Sequence, residues 1–283
     1  MSKTFEPPLA PPPELRFRRQ IRLGASIRDL WQARELVRTL VERDFRAHYK
    51  KTVLGFAWAI VPPVTFMIVF SLFFRRVANV NTEGVPYSLF TYVGLLPWTF
   101  FSGSVSRGGL SLLANAGLLN KVYFPREIFP IAGMISAGID TLIALPVLGI
   151  LFLFTGFAPK PTAVFIPLLL LIQVLFTLGV TLAASAVVVY FRDLRHALPL
   201  ILQFGIFATP VAYSLDAIPA SLRALYGALN PLAPVIDGYR QAVLLGRVPA
   251  WDTLIPGAVA SCAVMLAAYV LFKHLETGFA DVA

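Results

Sequence analysis

Side chains able to carry acid–base, nucleophilic or metal chemistry are sparse here and set far apart. The three histidines, His48, His196 and His274, stand on separate segments, so no metal-ligand spacing is present. Ser102, Ser104 and Ser106 lie near Gly103 and Gly108, but the G-x-S-x-G spacing of a nucleophile elbow is not met, which leaves a serine-bearing helix packed on a neighbour. No G-x-x-x-x-G-K-[ST] occurs, so the chain has no P-loop with which to bind ATP. The single cysteine, Cys262, excludes a disulfide framework or thiolate cluster within one chain. Asp140 is the one acid well inside a long apolar run. An unpartnered charge there costs at least about 2.5–3.5 kcal/mol on insertion scales, so it must face the bundle interior or water, or be protonated. Two readings stay open for it: a pathway or relay residue, and an interhelical hydrogen bond.

The elements that must carry these residues are membrane elements. The 283 residues are 57% hydrophobic and 14% charged with mean hydropathy +0.74, which places the chain among polytopic membrane proteins. The formal charge of +9 is concentrated: residues 1–51 hold twelve of the 24 Lys and Arg. That pattern fits a cytoplasmic arm near anionic headgroups and argues against nucleic acid as a partner. Residues 1–25, with Pro7, Pro8, Pro11, Pro12 and Pro13, read as a flexible arm and not as a cleavable signal. Residues 26–51 then place Ile27, Leu30, Trp31, Val37, Leu40, Val41 and Phe45 at helical spacing among arginines, predicting an amphipathic interfacial helix.

The remainder, 52–283, predicts a transmembrane domain. A span needs roughly 20 apolar residues. Six runs qualify: Val53–Phe74, Pro86–Ser106, Ile128–Thr155, Thr162–Tyr190, Leu198–Leu215 and Leu254–Phe272. Placing both termini, the 107–127 region and the 191–196 loop inside puts 18 Lys and Arg on the cytoplasmic face against six outside. Residues 229–247 suit neither span nor loop, being apolar but broken by Pro231 and Pro234 and bearing Asp237 and Arg240. Irregular backbone at membrane depth requires protein or a wet cavity around it, so short re-entrant or interfacial helices are expected, the alternative being an ordinary helix lying on the outer membrane surface. The fold class is therefore an all-α integral membrane protein: six transmembrane helices, an amino-terminal amphipathic interfacial helix, and short re-entrant helices before the last span. Aromatic residues including Trp58, Phe66, Phe70, Trp98, Phe101, Phe207 and Tyr213 supply faces on which sugar rings can slide, although most aromatics in such spans simply pack or face lipid.

Four segments in order resemble the membrane subunit of bacterial ABC exporters of lipid-linked polysaccharide, the O-antigen, capsule and teichoic-acid permeases. They are LVERDFRAHYKKTVLGFAWAIVPP at 40–63, NAGLLNKVYFPREIFPIA at 115–132, LNPLAPVIDGYRQAVLLG at 229–246 and the terminal LETGFADVA. The resemblance covers nearly all of the chain after about residue 28; the proline-rich arm has no counterpart in it. It implies a homodimer in the bacterial cytoplasmic membrane with two separate ATP-binding cassette subunits, which would hold ATP and Mg, so that this chain needs no cofactor and is not an enzyme. It also implies that Asn115, Gly117, Leu118, Leu119, Lys121, Val122, Tyr123, Phe124, Pro125, Arg126 and Glu127 couple to the ATPase. The pathway would lie between two subunits, with Trp58, Phe66, Phe70, Trp98, Phe101, Asp140, Phe207 and Tyr213 along it. Asn230, Pro231, Asp237, Tyr239 and Arg240 would mark the re-entrant segment on the outer side. The readings that compete are a membrane-embedded enzyme of lipid-linked sugar metabolism and an ABC exporter of a drug or lipid.

Overall fold

The structure is a computed structural model that describes residues 30–50, 52–77, 82–119 and 124–279. The arm of residues 1–25, the first turn of the amphipathic segment, and Lys121, Val122 and Tyr123 of the expected coupling segment lie outside the described residues. Among those described, nine α-helices of nine residues or more follow one another: α1 Arg34–Tyr49, α2 Ala57–Val77, α3 Tyr87–Ala114, α4 Ile128–Thr155, α5 Ile166–Tyr190, α6 Leu194–Ala208, α7 Ala220–Leu229, α8 Leu232–Arg240 and α9 Trp251–Leu275.

Helix α3 is the axis of the bundle. It packs on α2, α4, α5, α6 and α8, and most of its 28 residues are buried. That role explains its composition. Its Ser, Thr, Tyr and Gly residues meet protein instead of lipid, so it does not need the uniform apolarity of a lipid-facing helix. The helices long and apolar enough to cross a membrane among the described residues are α4, α5 with its preceding turn, and α9, while α2 and α6 offer shorter apolar stretches. Helices α3 and α4 approach closely through glycines: a Cβ on Gly133 of α4 would lie 2.6 Å from the Gly108 backbone of α3, and one on Gly108 would lie 2.8 Å from the Pro130 carbonyl, so neither position has room for a methyl group.

Two of the expected spans end elsewhere. The run read as Pro86–Ser106 stays helical to Ala114, which makes Arg107 a helix residue and not a loop charge. The helix stops at Asn115, whose Nδ2 donates to the Ser111 carbonyl at 2.8 Å. The run read as Leu198–Leu215 is helical only over the 15 residues of α6, about 22 Å at 1.5 Å per residue, short of the ~30 Å hydrocarbon core. Pro210 is the cause. It restricts Thr209 before it to extended geometry (φ −111°, ψ 139°) and has no N–H to continue the ladder.

Residues 229–247 form the end of α7, the helix α8, and a π-helical turn Gln241–Leu245 closed by Gly246 at φ +71°. Helices α2, α3, α4, α5, α6 and α9 alternate in direction. One end of the bundle gathers α1, the α3–α4 junction and the ends of α5 and α9; the other gathers α7, α8 and the broken end of α6.

Candidate functional site

At the first end, α1 packs along α4. Tyr49, the last residue of α1, donates its hydroxyl to Asp140 Oδ1 at 2.5 Å, and Arg107 of α3 pairs with Asp140 Oδ2. The acid inside the apolar run thus has two partners on two other helices, which is the interhelical reading of Asp140. Burial, with Asp140 beside it, raises the Tyr49 phenol above its ordinary range. Six residues before Tyr49, Arg43 donates to the Asn115 side chain at 2.9 Å, so α1 is tied both to the bundle interior and to the end of α3. Between these ties lies a cleft of about 460 Å³, lined by Asp44, Phe45, His48, Tyr49, Arg107 and Asp140 among others.

The segment expected to meet an ATPase divides in two. Gly117 and Leu118 are exposed on the short helical turn Ala116–Leu119, and Asn115 is half-buried against Arg43. Phe124 and Pro125 are half-buried, with the Phe124 ring packed edge-on to Phe129. Glu127 does not belong on that surface. It is 1% exposed and ion-paired with Lys273 near the end of α9, whose Nζ also reaches Glu276 at 2.9 Å. A carboxylate this deep, already paired with Lys273, stands behind the exposed part of the segment. Arg126 donates to the Glu276 carbonyl and lies over the ring of the fully buried Phe279, so the residues after α9 strap onto the start of α4.

At the opposite end Arg240 is the largest fully buried side chain, 1% exposed. Its Nε donates to the Phe90 carbonyl at 3.1 Å, Nη1 to Pro210 at 2.7 Å and Tyr213 at 3.0 Å, and Nη2 to Val211 at 2.5 Å. The guanidinium carbon sits 3.7 Å from the centre of the Phe90 ring. One fork of donors thus caps the carbonyls released where α6 breaks, a task suited to a planar five-donor group. Gly94 makes the room, since a Cβ there would lie 2.5 Å from Nη2. Asp237 accepts from Gln241 Nε2 at 2.5 Å, and the Tyr239 hydroxyl reaches Gln173 at 3.0 Å, which in turn donates to the Pro97 carbonyl at 3.0 Å. Asn230 binds the Thr209 hydroxyl at 3.0 Å, and Pro231 starts α8.

The aromatic residues expected along a pathway do not form one wall. Trp98 and Phe101 are core residues, 5.6 Å apart, with Phe101 stacked on Phe176. Phe70 is buried between Phe66 and Phe207. Trp58, Phe66 and Phe207 present exposed faces, and Tyr213 is half-buried with its hydroxyl on the Phe207 carbonyl. Among the described residues no group of three or more His, Cys, Asp or Glu stands where it could hold a metal ion.

Sequence reasoning passed over Tyr49, Arg107 and Lys273. The available signal was the rule that an intramembrane acid needs a partner, which would have directed attention to Arg107 at the end of an apolar run.

The profile of the ABC-2 type transporter matches residues 35–244. An O-antigen export system permease protein RfbA from Myxococcus xanthus is 35% identical over 256 residues, covering 90% of this chain and 98% of that protein. A protein of the same description from Klebsiella pneumoniae is 30% identical over 215 residues, covering 76% and 82%. The polysialic acid transport protein KpsM of Escherichia coli is 28% identical over 217 residues, covering 75% and 82%. The matched region runs from α1 through α8 and takes in the Asp140 cluster, the α3–α4 junction and Arg240; the chain belongs to the ABC-2 type transporter family.

Proposed function

We propose that the chain is the permease subunit of an ATP-driven exporter that moves a lipid-linked polysaccharide of O-antigen type across the bacterial cytoplasmic membrane. The observation that carries the reading is the similarity to an O-antigen export permease along 98% of that protein's length. Two copies would enclose the path, and two separate ATP-binding cassette subunits would hold ATP and Mg, a division of labour in keeping with a chain that has no P-loop.

In this reading α2, α3, α4, α5, α6 and α9 are the six spans, and the alternating directions of these helices support it. The excess of Lys and Arg supports a cytoplasmic position for the end with α1 and the α3–α4 junction, and cytoplasmic termini with it. Helices α7 and α8 then form the outer re-entrant segment, which completes the bundle over the short α6. ATPase docking falls to Asn115–Arg126, with Gly117 and Leu118 exposed, while the Glu127–Lys273 pair passes the motion of that junction to α9. Trp58, Phe66, Phe207 and Tyr213 offer aromatic surface to a passing glycan; Trp98, Phe101 and Phe70 support that surface from behind.

The test is reconstitution of the chain in proteoliposomes with and without its ATPase, measuring transfer of a labelled lipid-linked polysaccharide. Transfer is expected only with the ATPase and ATP. Transfer without them, or ATP-driven transfer of a drug or free lipid in preference to the glycan, overturns the assignment.

A further inference from the structure

We infer that the cleft between α1 and the α3–α4 pair is a carbohydrate subsite that holds a neutral sugar ring of the cargo. This inference rests on the exporter reading and adds to it the place where the glycan is first recognised.

The cleft has the volume of a small-ligand site, about 460 Å³ within the ~300–1,000 Å³ usual for such pockets. Its lining combines the two kinds of group that a pyranose requires. Phe45, half-buried, supplies aromatic surface, and Phe56 at 5.6 Å and the buried Tyr49 at 5.0 Å back its ring. The C–H face of a sugar packs on such a surface because the electron-rich ring face meets the positive edge of the C–H bonds. Asp44, His48 and Arg107 supply planar polar edges able to engage neighbouring hydroxyls: a carboxylate accepts twice, and a guanidinium donates through an unspent side of its fork. Arg107 gives one N–H to Asp140 and remains 34% exposed, so the group is held in place while still reaching the cleft.

Charge decides between a sugar and a phosphate. Asp140 is balanced by Arg107, and Asp44 by Arg43 at 2.9 Å. A neutral polyhydroxyl ligand enters without disturbing either pair. A diphosphate would face two carboxylates and would have to take Arg107 from the acid that it neutralises. The cleft is also formed by α1, the element tied to both the bundle interior and the end of α3, so an occupied cleft bears directly on the coupling junction.

The experiment uses the full chain with its ATPase in nanodiscs, without ATP. Saturation-transfer NMR is recorded with glucose, galactose, mannose and N-acetylglucosamine as probes. At least one sugar should receive saturation at its ring protons. Phe45→Leu, which keeps the bulk and removes the π face, and Asp44→Asn should each weaken that sugar's binding roughly tenfold, about the worth of one such contact. Cys262→Ser, on the exposed side of α9, should not. Gel filtration and thermal midpoints verify that each variant is folded. Saturation of no sugar, or equal saturation in wild type and both cleft variants, overturns the inference. A second arm replaces the sugars with inorganic pyrophosphate read by phosphorus line broadening; broadening that Arg107→Gln relieves, in the absence of any sugar signal, overturns it in favour of a phosphate site. Because binding of free sugars is read without turnover, its failure is separate from failure of ATP-driven transfer in proteoliposomes.

Discussion

Replacing Arg240 with methionine retains much of the apolar bulk and removes every donor. Four carbonyls, those of Phe90, Pro210, Val211 and Tyr213, then lose a charged partner. Hydrogen bonds to a charged group contribute about 1.5–3 kcal/mol each, which gives roughly 6–12 kcal/mol in gross terms. Against this stands the desolvation of a fully buried guanidinium, several kcal/mol that the variant recovers. The net loss expected is about 3–5 kcal/mol, the range found when one side of a buried charged contact is removed. Arg240→Lys separates charge from geometry. An ammonium has three donors radiating from one atom and no plane to lay on the Phe90 ring, so it should recover about half of the loss.

The assay is unfolding by a denaturing detergent in mixed micelles, followed by tryptophan fluorescence. Gly94→Ala provides an internal check, because its methyl group would lie 2.5 Å from Nη2 and 3.1 Å from the Val211 carbonyl. It should cost about 1–3 kcal/mol alone. Combined with Arg240→Met it should cost less than the sum, since the guanidinium it collides with is gone. A methionine variant within about 1 kcal/mol of wild type, a lysine variant equal to wild type, or strict additivity with Gly94→Ala would each refute the clasp.

Three further outcomes follow from the other clusters. Lys273→Met strands Glu127 in a buried position and should lower stability by about 3–5 kcal/mol, with Glu127→Gln on the same chain restoring part of it, as read by the same detergent titration. Gly133→Ala pushes a methyl group to 2.6 Å from the Gly108 backbone, which has no rotamer to yield, and should cost about 1–3 kcal/mol in the same assay. Lys121→Ala with Arg126→Ala should leave membrane insertion intact and reduce stimulation of the partner ATPase by the permease; unchanged stimulation would place the docking contact elsewhere.

Much of this fold was readable because its signal is local. The apolar runs that became α4, α5 and α9, the amphipathic α1, and the break at Asn230–Pro231 are each visible within a window of about 20 residues. The end of α6 was readable in principle from Pro210, but Val211, Ala212 and Tyr213 carry the apolar run past the proline, so a hydropathy reading continues where the backbone cannot. Partners were not readable. Asp140 announces that it needs one, but Tyr49 and Arg107 lie 91 and 33 positions away. Arg240 binds a carbonyl 150 positions away, and backbone carbonyls have no sequence identity to search for.

The aromatic residues show the same limit in reverse. Trp98 and Phe101 sit in α3 beside the others that a sugar path would use, and nothing in their spacing separates a wall from a core. Burial separates them, and burial here follows from the composition of α3 as a whole. A helix with Thr91, Ser104, Ser111 and two close glycines can afford those groups only where protein surrounds it on several sides. Once α3 is recognised as the axis, its aromatics become packing, and the exposed aromatic faces are those of α2 and the end of α6. The moderate hydropathy that sets α3 apart from the most lipid-like helices is therefore the sequence feature that goes with the burial of Trp98 and Phe101.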